Sequence, residues 1–357
     1  MLTSKYGAHR GAHPYAGALP AAIDANTLNY WTAKAARTAM AAPPFPHGSQ
    51  RNRRIIADPQ PDVSETPGPA LRARPESGPR CSTIAPMFHV PKPPGHAAEL
   101  RARLLQAAQD PPHPGSLPLA IAGRRCGWAS PAACKVLQAC GEAALDARGA
   151  ALGTGRPPGP QLDALLARVA RALSEAGCLR GWRDELLDVH AEDGAPVGAI
   201  ERAAMRPLGL PTCAVHLNAW SPAGELWIAR RALDKTTDPG MWDTLAGGLA
   251  GRGESPDLAL LRESHEEAGL EPAQLAGRGP LRTIARIRRQ IPDGYQVEDV
   301  LVSSCVLDPQ ARPANLDGEV MEIRLAPAGE VLEMLARGEF THEAALVIAD
   351  DMAARGL

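Results

Sequence analysis

Apolar residues recur every three or four positions in several segments of the chain, a spacing that places them on one face of an α-helix. The clearest of these stripes covers residues 162–176, where LDALLARVARALSEA combines an apolar face with a charged one. The same periodicity predicts helices at residues 97–109, 199–208, 328–337 and 342–355. Each amphipathic helix needs a surface to pack against, so the pattern indicates folded domains.

Shorter apolar runs lie between these segments and alternate with polar residues, as half-buried strands do. Residues 117–128 are predicted to form two short strands around a turn at Gly123. Residues 212–217 and 225–230 alternate like the two arms of a hairpin. Further strands are predicted at residues 186–190, 281–290 and 298–306. Strands interspersed with helices predict an α/β fold with a mixed sheet.

The composition of the chain changes near Met87. Residues 1–86 are rich in Ala, Pro, Gly and Arg and lack apolar periodicity, so we expect disorder there or a true translation start at Met87. A transit peptide is an alternative, because this segment carries few acidic residues. Residues 87–210 are expected to form a small α/β domain, and residues 211–357 a second domain.

The overall charge and the cysteines narrow the class of protein. The 357 residues carry a formal net charge of −2, which excludes the strongly basic character typical of general nucleic-acid binding. No apolar run is long enough to span a bilayer and no secretory signal is visible, so we expect neither nucleic acid nor membrane as a partner. The seven cysteines form no CxxC pair and no cluster with histidine. This pattern argues against structural zinc and favours reduced thiols in the cytoplasm.

The most informative motif is GLAGRGESPDLALLRESHEEAGL, at residues 248–270. Ser255 is expected to cap a helix that begins at Pro256, and Gly269 is expected to end it in a left-handed conformation. The glutamates at positions 263, 266 and 267 are three or four residues apart, so they share one face of this helix.

Three carboxylates on one helical face repel one another unless a cation neutralises them. Hard oxygen ligands suit Mg²⁺ or Mn²⁺, which also bind substrate phosphates. We therefore expect Glu263, Glu266 and Glu267 to hold a divalent metal, with a backbone carbonyl of Gly248 in reach. A Glu-rich helix is more commonly a solvated surface, but the glycine-containing loop before it and Arg262 at its centre favour a site.

Eight positions of this motif match the signature box of a known family. They are Gly248, Glu254, Arg262, Glu263, Glu266, Glu267, Gly269 and Leu270. The pattern resembles that of the Nudix hydrolases, which cut diphosphate linkages with Mg²⁺. The resemblance implies an α/β/α sandwich, three glutamate metal ligands, and an ion pair that holds the loop, formed by Arg262 and Glu254. Ser264 departs from the pattern, which has an aliphatic residue there, although a small residue can still pack.

Motifs outside the box resemble one Nudix subgroup, whose members carry an N-terminal domain also found in fungal thiamine pyrophosphokinases. These motifs are GWRDE at 181–185, IERAA at 200–204, VHLN at 215–218, ARR at 229–231, Lys235, PGMWD at 239–243, AGG at 246–248, Glu298, DGEV at 317–320 and GEF at 338–340. Departures from the subgroup occur at Leu186-Leu187, Ala219 and Gly269. The resemblance implies hydrolysis of thiamine diphosphate, or of its oxidised oxo- and hydroxy-derivatives, to the monophosphate and phosphate. Such a reaction would remove a damaged cofactor, as metabolite repair.

The implied reaction is in-line attack of water on a phosphorus atom, with Mg²⁺ neutralising phosphate oxygens and lowering the pKa of the water. Glu266, Glu267 and Glu298 are the candidate catalytic residues, and the last two are the candidates for the general base. For Glu298 the alternative is an exposed residue on a strand.

Four residues are candidates for substrate binding: His216, Arg230, Lys235 and Trp242. The two cations suit phosphate, although a surface role explains either one equally well. His216 would face the substrate or serve as a hydrogen-bonded core histidine. Trp242 would stack on a heteroaromatic ring or pack in the core.

Other functions remain open on the same fold. A nucleoside-diphosphate-type pyrophosphatase, acting on ADP-ribose or NADH, would have the same box, and a ligand sensor would bind without turnover. Isopentenyl diphosphate isomerase shares a Pro-Gly-x-Trp run before a Nudix-like helix, but it needs a cysteine near that run, and residues 242–253 contain none. The expected partner is a small-molecule diphosphate, and a homodimer is compatible with each function.

Overall fold

The computed structural model describes residues 96–357. The expectations for residues 1–86 therefore lie outside the described residues. The described chain contains six helices: α1 (His96–Ala107), α2 (Pro131–Ala139), α3 (Pro160–Glu175), α4 (Pro256–Ala268), α5 (Ala328–Ala336) and α6 (His342–Ala354). Its thirteen strands are β1 (Leu117–Ile121), β2 (Arg124–Ala129), β3 (Ala143–Asp146), β4 (Gly149–Leu152), β5 (Leu186–His190), β6 (Pro196–Glu201), β7 (Pro211–Trp220), β8 (Glu225–Arg231), β9 (Trp242–Thr244), β10 (Ala246–Leu249), β11 (Arg282–Ile291), β12 (Gly294–Val306) and β13 (Val320–Pro327).

A first hydrophobic core lies between residues 119 and 210. It joins a four-stranded sheet, in the order β2-β1-β4-β3, to helices α2 and α3 and to the hairpin β5-β6. Helix α3 buries Leu162, Leu166, Val169 and Leu173, which is the apolar stripe that its sequence predicts. Helix α1 packs elsewhere, against α6 in the second core.

The helix predicted at residues 199–208 is wrong. Strand β6 continues to Glu201, and a single 3-10 turn at Arg202–Ala204 follows it. The Ala-rich run IERAAM favours a helix by propensity alone, but propensity is a weak force beside packing. Val197 and Ile200 are fully buried in the first core, and β6 pairs with β5 along its length. Burial in the tertiary structure therefore decides the conformation of this segment, against its local helix propensity.

The second core surrounds a seven-stranded sheet, in which β11-β12-β7-β8-β13 form the main path while β10 pairs with β7 and β9 pairs with β8. Strands β7 and β12 are parallel and the other neighbours are antiparallel, so the sheet is mixed as predicted. Helix α4 packs against β7 and β10, and helix α6 packs against β7, β9 and β12. The predicted α/β fold with a mixed sheet is confirmed.

Helix α4 has the ends that its sequence predicts. The Ser255 hydroxyl accepts from the backbone N–H of Leu258 at 3.3 Å, and Pro256 occupies the first turn. Gly269 ends the helix with φ 62°, where its N–H reaches the carbonyls of the last turn. Because both ends are defined, the register of the three glutamates against strand β10 is defined too.

Candidate active site

The loop that ends in β10 lies directly against the carboxylates of helix α4. The backbone N–H of Gly247 donates to Glu267 Oε2 at 2.9 Å. A Cβ at Gly248 would collide with the carboxylate of Glu263, and one at Gly247 would lie 2.8 Å from His216 Nδ1. Glycine is therefore required at both positions, because only a bare backbone approaches the helix so closely.

Arg262 connects the loop, the helix and two of the three glutamates. Its guanidinium donates to Glu254 at 2.8 and 2.9 Å, to Glu263 at 2.6 Å and to Glu266 at 3.1 Å. A fifth bond of 3.1 Å reaches the carbonyl of Leu249. Burial by itself would lower the pKa of Arg262, but the bond to Glu254 and the surrounding carboxylates raise it above its ordinary value. Arg262 is therefore a permanent cation within the acidic cluster.

Glu263 and Glu267 are buried, whereas Glu266 is about one-third exposed. Burial, followed by the charge of Glu263, raises the pKa of Glu267 to about 8. Lys235 lies 4.0 Å from Glu267 Oε1 and partly opposes this effect. Burial also raises the pKa of Glu263, against the lowering influence of Arg262. The cluster carries more negative charge than its protein partners neutralise.

The residues of this cluster fit a divalent metal by the chemistry of their donors. Carboxylate oxygens and a nearby backbone carbonyl are the ligands that Mg²⁺ and Mn²⁺ prefer. Within residues 96–357, no three His, Cys, Asp or Glu side chains already stand together in a metal-holding arrangement. The physical reason is Arg262, whose Nη1 bonds both Glu263 and Glu266. Metal binding would require Glu263 to turn from Arg262.

Glu298 is buried on β12, not exposed on a strand. Its carboxylate accepts from Thr212 Oγ1 at 2.7 Å and from Gln296 Nε2 at 3.0 Å. Gln296 also donates to Glu343 at 2.8 Å, and Glu343 pairs with Arg289 at 3.1 Å. Burial, followed by the charge of Glu343, raises the pKa of Glu298 to about 6. A carboxylate with this pKa suits a general base at neutral pH.

A cavity of about 570 Å³ joins Glu298 to the acidic helix. Its lining contains five of the sequence-predicted site residues, which are His216, Lys235, Gly248, Glu263 and Glu298. It also contains Arg202, Arg231, Asp243 and Glu319, which belong to the subgroup motifs IERAA, ARR, PGMWD and DGEV. The sequence reasoning missed further charged and polar residues of the lining: Arg180, Arg206, Arg289, Asp293, Gln296 and Glu343. One sequence signal was present for Gln296, because it alternates with Glu298 on a strand and so shares its face. No local pattern marks Arg180, Arg206 or Arg289, which the fold gathers from distant segments.

Trp242 and Arg230 do not line this cavity. Two guanidinium groups lie within cation–π distance of the Trp242 ring centroid, that of Arg324 at 4.8 Å and that of Arg230 at 5.8 Å. Arg230 also donates from Nε to the carbonyl of Gly240 at 3.0 Å. The structure therefore places this pair in a cation–π stack beside the site, and their part in substrate binding stays a prediction.

His216 lies under the cavity floor, on strand β7. Its Nδ1 is 3.2 Å from Thr244 Oγ1, and its buried Nε2 has no hydrogen-bond partner among the described residues. Burial lowers the pKa of His216, which favours the neutral imidazole. His216 is therefore a buried core residue that also borders the cavity. Its part in substrate binding stays a prediction.

A family model for the NUDIX domain matches residues 211–347. The chain belongs to the Nudix family. It is 35% identical over 199 residues to the chloroplastic Nudix hydrolase 24 of Arabidopsis thaliana, and this match covers 54% of each of the two chains. It is also 36% identical over 160 residues to an isopentenyl-diphosphate Delta-isomerase of Streptomyces avermitilis, covering 44% of this chain and 78% of the isomerase. The chain spans about half the length of the plant Nudix hydrolases that it matches.

Among solved structures, a Deinococcus radiodurans protein, DR0079, is similar over 47% of this chain and 98% of its own. The identity is 23% and the TM-score is 0.36, values from which no substrate follows. The Nudix relatives thus include both hydrolases and isomerases. Only the side chains of the site can indicate which of these two reactions the chain carries out.

The thiols of the described chain do not supply the cysteine that an isomerase needs. Its six described cysteines are all free, and none of them lies between residues 242 and 253, around strands β9 and β10. Cys213 lies nearby on β7, but burial and the neighbouring Asp299 and Glu298 raise the pKa of its thiol well above the ordinary value. A thiol held protonated in this way is not a nucleophile or a base at neutral pH.

Residues 96–357 include no helix with the length and apolar character of a bilayer span.

Proposed function

We propose that this Nudix protein is a divalent-metal-dependent hydrolase that cleaves the diphosphate of thiamine diphosphate, or of its oxidised oxo- and hydroxy-derivatives, to the monophosphate and phosphate. The observation that carries the hydrolase proposal is the shared cavity of Glu298 and Glu263. It brings a buried carboxylate with a raised pKa to the same space as Glu263, the one glutamate of the three on helix α4 that lines the cavity. A base and a metal site on one cavity are what water attack on phosphorus requires.

Different residues of the chain would hold the metal and accept the proton. Glu263, Glu266 and Glu267 would hold Mg²⁺ or Mn²⁺, which when bound supplies charge neutralisation at the phosphate oxygens and a more acidic water. Glu298 accepts the proton of the attacking water at one of its carboxylate oxygens, while Thr212 and Gln296 keep this carboxylate in place. The protein thereby positions the base before substrate arrives.

Two cations that line the cavity, Lys235 and Arg231, would bind the diphosphate. Lys235 pairs with Glu319 and lies near Glu267, so its ammonium stays at the edge of the metal site. Arg231 is fixed by Asp243 at 3.0 Å and by the carbonyl of Thr237 at 3.0 and 3.2 Å. Both groups would stabilise the additional negative charge that develops on the departing phosphate.

The thiamine assignment is supported by the subgroup motifs along the chain and not by the box. Within them, Arg183 and Arg202 both line a small cavity next to the main one. A protein that repairs a cofactor in this way would work in the cytoplasm, alone or as a homodimer. These two points are part of the proposal.

An isomerase of isopentenyl diphosphate is the second candidate, because the matches to two relatives with that name extend over 78% of each relative's length. The absence of a cysteine between residues 242 and 253 speaks against it. Phosphate release separates the two reactions, since an isomerase leaves the diphosphate intact.

The test is hydrolysis with Mg²⁺ of a panel of five compounds: thiamine diphosphate, its oxo-derivative, ADP-ribose, NADH and isopentenyl diphosphate. Chromatography follows all phosphorylated products, because cleavage of the bridging diphosphate in ADP-ribose or NADH gives two monophosphates and no free phosphate. Wild type is compared with Glu266→Gln, Glu267→Gln and, as a control, Glu175→Gln, which changes an exposed glutamate at the end of α3. We expect the thiamine compounds to be preferred and the first two variants to lose the activity. Turnover of ADP-ribose or NADH alone would show that the substrate is a nucleoside diphosphate compound, while the metal-dependent hydrolysis proposed here would stand. Binding of a panel compound without turnover would support a ligand sensor.

A further inference from the structure

The first core contributes a wall of arginines to the cavity of the metal site. Arg180, Arg202 and Arg206 come from the segment between helix α3 and strand β7, and all three line the cavity together with Glu263 and Gly248. This segment lies outside residues 211–347, which the Nudix family model matches. The arginine wall is therefore an addition of this chain to the domain that carries the reaction.

The three arginines differ in how many of their donors are already used. Arg206 is tied to Asp293 at 3.1 Å and to Thr237 at 3.5 Å. Arg202 gives one Nη1 bond of 2.7 Å to Glu185, which leaves its Nε and Nη2 donors for another group. Arg180 makes no hydrogen bond or ion pair with any other residue of the described range 96–357, and its side chain is exposed at the cavity.

The position of Arg202 is held by backbone structure. Its N–H donates to the carbonyl of Glu185 at 2.8 Å, and it opens the 3-10 turn that follows β6. The preceding Glu201 is buried and accepts from the backbone N–H groups of Arg183 and Ala203. Arg202 is thus presented by an ordered element, so little conformational entropy remains to be lost when it binds a ligand.

We propose that Arg180 and Arg202 bind the terminal phosphate of a diphosphate monoester, and that they select this class over substrates whose diphosphate bridges two organic groups. This inference rests on the proposed diphosphate hydrolysis and names its substrate class. A terminal phosphate offers three non-bridging oxygens and carries more negative charge than a phosphate esterified on both sides. Two guanidinium forks with free donors match such a group in charge and in planar geometry.

The carboxylates of the same cavity explain why the arginines take the terminal phosphate. Glu263 and Glu298 also line the cavity, so without a metal they repel an anion. The two arginines then hold the end of the diphosphate that carries the most charge. Arg206 does not take part, because Asp293 already neutralises it.

The experiment measures binding, so that it does not depend on any compound being turned over. The probe is methylenediphosphonate with Mg²⁺, since its P–C–P bridge cannot be hydrolysed and both of its ends are terminal. Its Kd is determined by calorimetry for wild type, Arg180→Met and Arg202→Met. The α,β-methylene analogue of ADP-ribose serves as the bridging counterpart. We expect each substitution to weaken binding of methylenediphosphonate about tenfold and binding of the bridging analogue less than about threefold.

Two further variants separate ligand binding from structure. Arg171→Met removes an exposed arginine of helix α3 that does not line the cavity, and it should bind both probes as wild type does. Glu185→Gln breaks the ion pair of Arg202 but keeps its guanidinium, and it should bind methylenediphosphonate at least as tightly as wild type.

Three results would overturn the proposal. The first is an unchanged Kd for methylenediphosphonate in both arginine variants. The second is an equal loss for the bridging analogue, which would assign the arginines to any diphosphate. The third is a loss in Glu185→Gln as large as in Arg202→Met, which would make the ion pair structural. If thiamine compounds were not hydrolysed but the binding pattern held, the proposed substrate would fail while the arginine site stood.

Discussion

Arg262 and Glu263 are neighbours along the chain and ion-pair partners in space, with Nη1 of the arginine 2.6 Å from Oε1 of the glutamate. The same guanidinium holds Glu254 in the preceding loop. One buried cation therefore fixes the loop and neutralises a metal-ligand candidate at the same time. This relationship makes the site's stability and its chemistry dependent on the same side chain.

Replacing Arg262 by Met should unfold the protein more easily. Glu254 and Glu263 would lose their partner while their side chains stay largely buried. Breaking a buried ion pair from one side costs about 3–5 kcal/mol of unfolding free energy. Urea denaturation followed by circular dichroism measures the change, and Arg171→Met is the exposed control. A loss below about 1 kcal/mol would show that water or rearrangement replaces Arg262.

Glu298 should set the acid limb of the pH–rate profile. Its pKa is raised to about 6, so the carboxylate that accepts a proton is lost as the pH falls below that value. In wild type, kcat/KM should rise with pH and level off above about 6. Glu298→Gln should lower kcat by roughly 10²- to 10⁴-fold and remove this limb. Glu322→Gln, on the exposed edge strand β13, is the control, and an acid limb that persists in Glu298→Gln would assign the base elsewhere.

The metal-free protein should lose stability as the pH rises from about 4.5 to about 8. The pKa of Glu267 is raised from 4.5 to about 8 in the folded protein, so the folded state binds a proton that the unfolded state releases in this window. Stability from this group is present at low pH and is lost through the window. Thermal unfolding at pH 5, 6.5 and 8 in a chelating buffer measures it. Glu267→Gln should flatten the dependence; an unchanged slope would contradict the assignment.

Mg²⁺ should restore the stability lost at pH 8. A ligand that binds only the folded state at 100 times its Kd stabilises by about 2.7 kcal/mol. Because Glu267 must be ionised to bind the metal, the Mg²⁺-induced rise in Tm should be larger at pH 8 than at pH 5. Glu175→Gln should behave as wild type. An equal rise in Glu267→Gln and wild type would place the ion at another site.

Gly248→Ala should damage both the fold and the metal site. Its Cβ would meet the Glu263 carboxylate in the position where Arg262 holds it. Overpacking of this kind costs about 1–3 kcal/mol and should displace Glu263 from the cluster. Gly277→Ala, where nothing lies within 4 Å of the added Cβ, is the matched control. Equal Mg²⁺-induced stabilisation in both variants would show that Glu263 is not a ligand.

The local chemistry of the site is readable in the sequence because it depends on short spacings. The cap at Ser255, the left-handed Gly269 and the three glutamates all lie within one helix and its ends, where residue spacing and position in space are linked directly. The apolar runs that predicted β7, β8 and β12 are local in the same way, although β7 and β12 prove to be buried on both faces. These features carry the α/β fold and the Nudix resemblance.

The tertiary structure alone decided what surrounds that helix. The burial of Glu298 depends on Thr212, Gln296 and Glu343, which three separate elements bring together. Arg180 and Arg202 reach the cavity only because the first core packs beside the second, and the wrong helix at residues 199–208 hid this. Long-range packing sets these contacts. The raised pKa of Glu298 and the free arginine donors at the cavity arise only once these contacts have formed. No local pattern encodes such contacts, because residues far apart in sequence choose their partners by the shape and burial of the whole fold.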